Sequence, residues 1–180
     1  MVKIYSQGDL NGACFLYSIA NAYKALSNKD ITKNAWSKAV KGVLFLEDFM
    51  DGTLGTERYN DNQMFEDVVI NMLNAFSRKI AFEVKQVKCG NLASIKKLIS
   101  EKSVAIFCYT VEENEKEIIN HWSCGVGFND NTSEIQLACS SCEAEPQKSE
   151  KLLRWYNETR SNKNTTKVIK ESVFQISIKS

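Results

Sequence analysis

The hydrophobic period of this chain changes once, near residue 80, and no other feature limits its fold as much. Before that point apolar residues recur at helical spacing. Phe15, Ile19, Ala22 and Leu26 form one stripe, widened by Leu16, Ala20 and Tyr23, and this pattern predicts a buried helix. A second helix is expected over Thr32 to Leu46. A third is expected from about Gln63 to Arg78, with Phe65, Val68, Val69, Met72, Leu73 and Phe76 on one face. The polar stretch from Glu47 to Asn62 between them reads as a long loop. After residue 80 the spacing favours strands. Ile80 to Val87 alternates, and Val104 to Tyr109 is a short apolar run suited to a central strand. His121 to Phe128 and Glu134 to Cys139 flank a turn at Asn129 to Ser133, a hairpin pattern. Val173 to Ile178 alternates strictly. Two helical insertions are expected in this half: a short helix through Ser100 capped by Asn91, and a helical turn over Leu152 to Tyr156. Helices first and a meander afterwards argue an α+β fold, organised as one domain over residues 1–180.

Charge and composition remove several classes of function. Lys and Arg number 23 against 22 Asp and Glu, a formal net charge of +1. So even a balance argues against a polybasic partner for nucleic acid or a membrane surface. No apolar run approaches the roughly 20 residues of a membrane span. Polar residues interrupt the first residues, Met1 to Asp9, before a signal-peptide core can form. The expectation is a cytoplasmic protein without nucleic-acid or membrane partners, with a signal-less export route left open. In that setting the six cysteines, Cys14, Cys89, Cys108, Cys124, Cys139 and Cys142, are expected as thiols rather than a disulfide framework.

The chain has one histidine, His121, so any chemistry that needs imidazole must use it. A thiol nucleophile needs a lowered pKa, a nearby base and donors for an oxyanion. Cys14 meets the first need, because it follows the turn signal Asn11-Gly12 and opens an apolar helix whose N-terminus favours a thiolate. His121, far along the chain on a strand, is the base available. Gln7, seven residues before Cys14, offers a side-chain NH2 that would act with the Cys14 backbone N–H on the oxyanion. No cofactor and no metal enter this scheme.

Three segments carry a resemblance. Gln7-Gly8-Asp9-Leu10-Asn11-Gly12-Ala13-Cys14 before an apolar helix resembles the oxyanion-Gln and nucleophile-Cys segment of papain-like cysteine peptidases. Lys97 to Ile106 is similar to the helix, turn and central strand that precede the histidine there. His121-Trp122-Ser123, on a strand that runs to Gly125-Val126-Gly127-Phe128, is similar to the strand bearing the family's histidine. Together they span about Gln7 to Ser141, with Val173 to Ile178 as a last strand, and the compact form is closest to the bacterial C39-like branch. The resemblance implies a papain-like fold, with N-terminal helices on a twisted antiparallel sheet and the nucleophile on the first helix. It implies a thiol hydrolase that acts on an amide bond in a peptide or protein substrate, with Cys14, His121 and Gln7 as catalytic residues. There are two departures. The Gln-to-Cys spacing is one residue longer than in papain itself, and Cys139 stands where the branch usually carries the Asp that orients the histidine. Ser140 takes that place if the hairpin register slips by one.

Other readings use the same residues. A glutamine deamidase or transglutaminase-like effector would run the same thioester chemistry on a different substrate. A non-catalytic module would bind a peptide or protein in the same cleft. His121-x2-Cys124, then fourteen residues, then Cys139-x2-Cys142 also has the outline of a four-ligand zinc site. Against zinc, an unbroken hairpin centred near Asn131 sets Cys124 across from Cys139 and His121 across from Cys142, as separate cross-strand pairs. Taken alone, Cys14 is a small buried residue, Trp122 fills the core, and Cys89 and Cys108 are structural.

Overall fold

A computed structural model describes residues 5, 11–44, 46–47, 62–89, 91–113, 117–129, 131, 134–140, 153–156 and 164–179. The first expected helix forms as α1, Cys14–Ser27, behind a single 3-10 turn over Asn11–Ala13. Its apolar stripe is buried as the spacing requires: Phe15, Leu16, Ile19, Ala20 and Ala22 are at most 1% exposed. Each large side chain among them contributes roughly 1.5–3 kcal/mol on leaving water. The helix stops at Asn28, which adopts a left-handed conformation (φ 52°) and donates its N–H to the Lys24 carbonyl. Asn tolerates that conformation better than most residues.

Helix α2, Lys33–Lys41, starts where Thr32 accepts a hydrogen bond from the Ala35 N–H, and it ends at Gly42, short of the Leu46 expected. Helix α3 is Asn62–Phe76 and packs on α1 and α2. The predicted face is the buried one, with Phe65, Val69, Met72 and Leu73 in the core.

Six strands follow: β1 (Phe82–Gln86), β2 (Ser103–Glu113), β3 (Glu117–Asn129), β4 (Glu134–Ala138), β5 (Leu153–Tyr156) and β6 (Asn164–Ile178). They make one sheet in the order β1-β6-β2-β3-β4-β5, with every paired neighbour antiparallel. The short helix α4, Leu92–Lys96, sits between β1 and β2, and Asn91 caps it by accepting the Ser94 N–H at 2.8 Å. The fold is therefore α+β, with α1 and α3 against an open antiparallel sheet.

Three expectations are corrected. Leu153–Tyr156 is a strand and not a helical turn; it pairs with β4 from Ile135↔Tyr156 to Ala138↔Leu153. Four residues are too few for periodicity to separate strand from helix, and pairing with an open sheet edge decides it. His121 lies inside β3 rather than at its start, because β2 and β3 extend to Glu113 and Glu117. The hairpin register is also not the unbroken one, a difference that shapes the site below.

Trp122 joins the sheet to the helices. Its ring contacts Phe15 of α1 (4.6 Å between centroids), Phe65 of α3 (5.3 Å) and Phe174 of β6 (6.1 Å). This is the core role expected of it. Among the described residues no helix is long and apolar enough to cross a membrane.

Candidate active site

Cys14 is the first residue of α1 and is 4% exposed. Ala13 precedes it as N-cap and offers no side-chain cap. Ser18, one turn on, donates its hydroxyl to the Cys14 carbonyl at 2.8 Å. The nucleophile candidate thus stands where a helix dipole favours an anion, on backbone fixed by the turn that follows.

His121 sits in β3 directly opposite Tyr109 of β2, and the Tyr109 ring stands edge-on to the imidazole at 5.5 Å. Side chains alternate along the strand. Trp122, the next residue along β3, packs on Phe15, Phe65 and Phe174. Farther along β3 the packing is close: a Cβ at Gly125 would meet Ile99, Ile135 and Phe107 at 3.0–3.3 Å.

The register of β4 then decides which thiol reaches the imidazole. Near the turn, Asn129 pairs with Glu134, Phe128 with Ile135 and Gly127 with Gln136. Continued unbroken, that ladder would set Cys124 opposite Cys139. A bulge at Val126 intervenes, and beyond it Gly125 pairs with Leu137 and Cys124 with Ala138. A one-residue shift exchanges the faces. One step past Ala138, Cys139 comes opposite Ser123 and on the same side as His121. Its Sγ lies 3.3 Å from His121 Nε2. The predicted Cys124–Cys139 pairing is therefore overturned by an extra residue that no local pattern announces.

Cys14 also hydrogen-bonds the His121 side chain, so one imidazole serves two thiols. Burial by itself would push the imidazolium down. The hydrogen bonds and negative charge of Cys139, and then of Cys14, outweigh it and hold the His121 pKa up at about 9, above the ordinary 6.5. Cys139 is 2% exposed and Ser140 is fully buried beside it. Of the two orienter candidates, Cys139 is the one hydrogen-bonded to the ring.

Cys124, only three residues along β3, has the opposite environment. It is fully buried, among the described residues its Sγ has only the Gly125 carbonyl at 4.0 Å, and burial pushes its thiol far up. Among the described residues no group of three or more His, Cys, Asp or Glu could hold a metal. Gln7, and Cys142 of the zinc outline, lie outside the described residues.

Two residues near the site escaped the sequence reading. Tyr109 faces His121 only through register, which no spacing reveals. Asn21 is a polar residue within an apolar helical stripe; that anomaly is a legible signal, and the structure shows it 1% exposed with its amide fully bonded. No family model and no curated protein matches this chain.

Proposed function

We propose that this protein is a papain-like thiol hydrolase that cleaves an amide bond through a Cys14 thioester. One observation carries the reading: a single half-buried imidazole is hydrogen-bonded by the helix N-terminal Cys14 and by Cys139. With Nε2 turned to Cys139, Nδ1 is the nitrogen that serves Cys14. The imidazole takes the Cys14 thiol proton, leaving a thiolate at a helix N-terminus and an imidazolium beside it. Cys14 Sγ then attacks the carbonyl carbon of the amide. The first-turn N–H groups stabilise the oxyanion, with Gln7 as second donor. His121 gives its proton to the leaving nitrogen as the C–N bond breaks, and a thioester remains on Cys14. Water, deprotonated by His121, releases the acid and restores the thiol. Deamidation of a glutamine side chain follows the same steps, and transamidation replaces the water by an amine.

Cys139 takes the orienter's place in this scheme. A thiol is a weaker hydrogen-bond partner than a carboxylate, so the proposed enzyme turns over more slowly than one with an acid there. The test is acylation by an activated ester such as p-nitrophenyl acetate, followed by peptide mapping. The reading expects the acyl group on Cys14 in the wild type and its loss in Cys14→Ala and His121→Ala. A label spread over several thiols, or none, would instead support a non-catalytic binding module.

A further inference from the structure

Resting on the thiol-hydrolase reading, we infer that Asn21 is a positioning residue: it gauges Cys139 against Cys14 and so sets the charge state of His121. Asn21 lies seven residues after Cys14 on α1, two helical turns on and along the same stripe. Its side chain uses every hydrogen-bonding group it has. Oδ1 accepts the Tyr5 N–H at 2.6 Å, while Nδ2 donates to the Tyr5 carbonyl at 3.1 Å and to the Ala138 carbonyl at 3.3 Å. Backbone N–H groups only donate and carbonyls only accept, so this orientation of the amide is the one that fits.

The Ala138 bond matters for the chemistry. Ala138 is the last residue of β4, and Cys139 follows it at once. β4 is held to β3 by pairing that ends at Cys124↔Ala138. Beyond that last rung, the Asn21 bond fixes the backbone from which the Cys139 sulfur reaches His121. The helix that presents Cys14 to the imidazole thereby also locates Cys139 on it. Only a carboxamide makes this set of bonds. Asp lacks the donor to Ala138, and an apolar isostere leaves three backbone groups, two at Tyr5 and the buried Ala138 carbonyl, without their partner. Tyr5, the other anchor, is itself tied to the protein, because its hydroxyl accepts the Ile31 N–H at 2.7 Å.

The test is the pH–rate profile of Cys14 alkylation by iodoacetamide, with site-resolved mass spectrometry, in wild type, Asn21→Asp, Asn21→Ser and Cys139→Ala, and in the double variants with Cys139→Ala. Asn21→Asp and Asn21→Ser should lower the Cys14 rate at pH 7 about tenfold and move its profile toward the ordinary thiol range near 8.5. In the Cys139→Ala background the same substitutions should change little, because Asn21 acts through Cys139. If both single variants keep the wild-type profile, the inference is overturned. It is also overturned if they slow Cys14 equally with and without Cys139, which would mark a merely structural role. A variant that does not fold is replaced by the other, since Ser keeps a small donor and Asp keeps the shape. If wild-type Cys14 reacts no faster than the other thiols, the thiol-hydrolase reading itself fails and this inference falls with it. A fast Cys14 that ignores Asn21 sinks the inference alone.

Discussion

Two stations on one strand, three residues apart, hold buried polar groups of opposite fate. At Cys124 the sulfur is sealed among apolar side chains and burial pushes its thiol up. At His121 the imidazole is also mostly enclosed, yet its pKa is held up at about 9 because two sulfurs hydrogen-bond it. Burial by itself favours the neutral form of either group. What separates the stations is the partner supplied: His121 is reached by Cys14 and Cys139, whereas Cys124 pairs on its strand with Ala138. The Val126 bulge then sends Cys139 after His121 rather than after Cys124. Burial makes a thiol inert and a partnered imidazole makes one reactive, so an inert Cys124 and the proposed nucleophile Cys14 can share a single core.

Breaking the partnership at its centre has the largest expected effect. His121→Ala should slow alkylation of Cys14 at pH 7 about 100-fold or more, within the range assigned to acid–base groups. Cys124 should stay unreactive in both proteins until they unfold. Site-resolved iodoacetamide labelling checks both halves of the contrast.

The next effect is on stability. An imidazole raised from 6.5 to about 9 on folding stabilises the native state fully below pH 6.5. That contribution declines as pH rises and is gone above about 9, because there the folded protein no longer holds the extra proton. The shift corresponds to roughly 3 kcal/mol. Urea midpoints at pH 6 and pH 9.5 should therefore fall farther in the wild type than in His121→Gln. Equal falls would remove the imidazolium from the account.

Cys139 sharpens the comparison, since it is the residue that the bulge diverts. Cys139→Ala should lower Cys14 reactivity about tenfold. Cys139→Asp should raise acyl-ester turnover above wild type, because a carboxylate orients an imidazolium better than a thiol does. A Cys139→Asp protein no faster than Cys139→Ala would show that the contact does not orient the ring.

The smallest effect belongs to Ser123, between the two stations. Its hydroxyl is fully buried with no hydrogen-bond partner among the described residues. An unsatisfied buried hydroxyl costs about 1–3 kcal/mol. Ser123→Ala should stabilise the protein by about 1 kcal/mol in denaturant unfolding and leave Cys14 reactivity unchanged.

The α+β class and most elements were legible, because they rest on local signals. The Phe15–Ile19–Ala22–Leu26 stripe, the Asn91 cap and the apolar run of β2 each specify their element without help from distant residues. Placing Cys14 at a helix start and taking His121 as the sole imidazole needed only the sequence. The resemblance puts Cys139 at the orienter's place, with Ser140 as the alternative, but the contact itself was not legible, since it depends on whether the hairpin carries an extra residue. Val126 lies between two glycines, which permit a bulge without demanding one. β5 was missed because Leu153–Tyr156 becomes a strand only when β4 offers an edge. Asn21 was passed over because its three partners lie 16 and 117 residues away, and no local window spans such distances.

Because His121 is the only histidine, its ring signals in an NMR titration need no assignment. The account predicts a midpoint near 9 in the wild type, falling toward 6.5 when either Cys14 or Cys139 is replaced by Ala. A wild-type midpoint at or below 6.5, unmoved by both substitutions, would mean that the two thiols do not hold the imidazole, and the proposed chemistry would have no base.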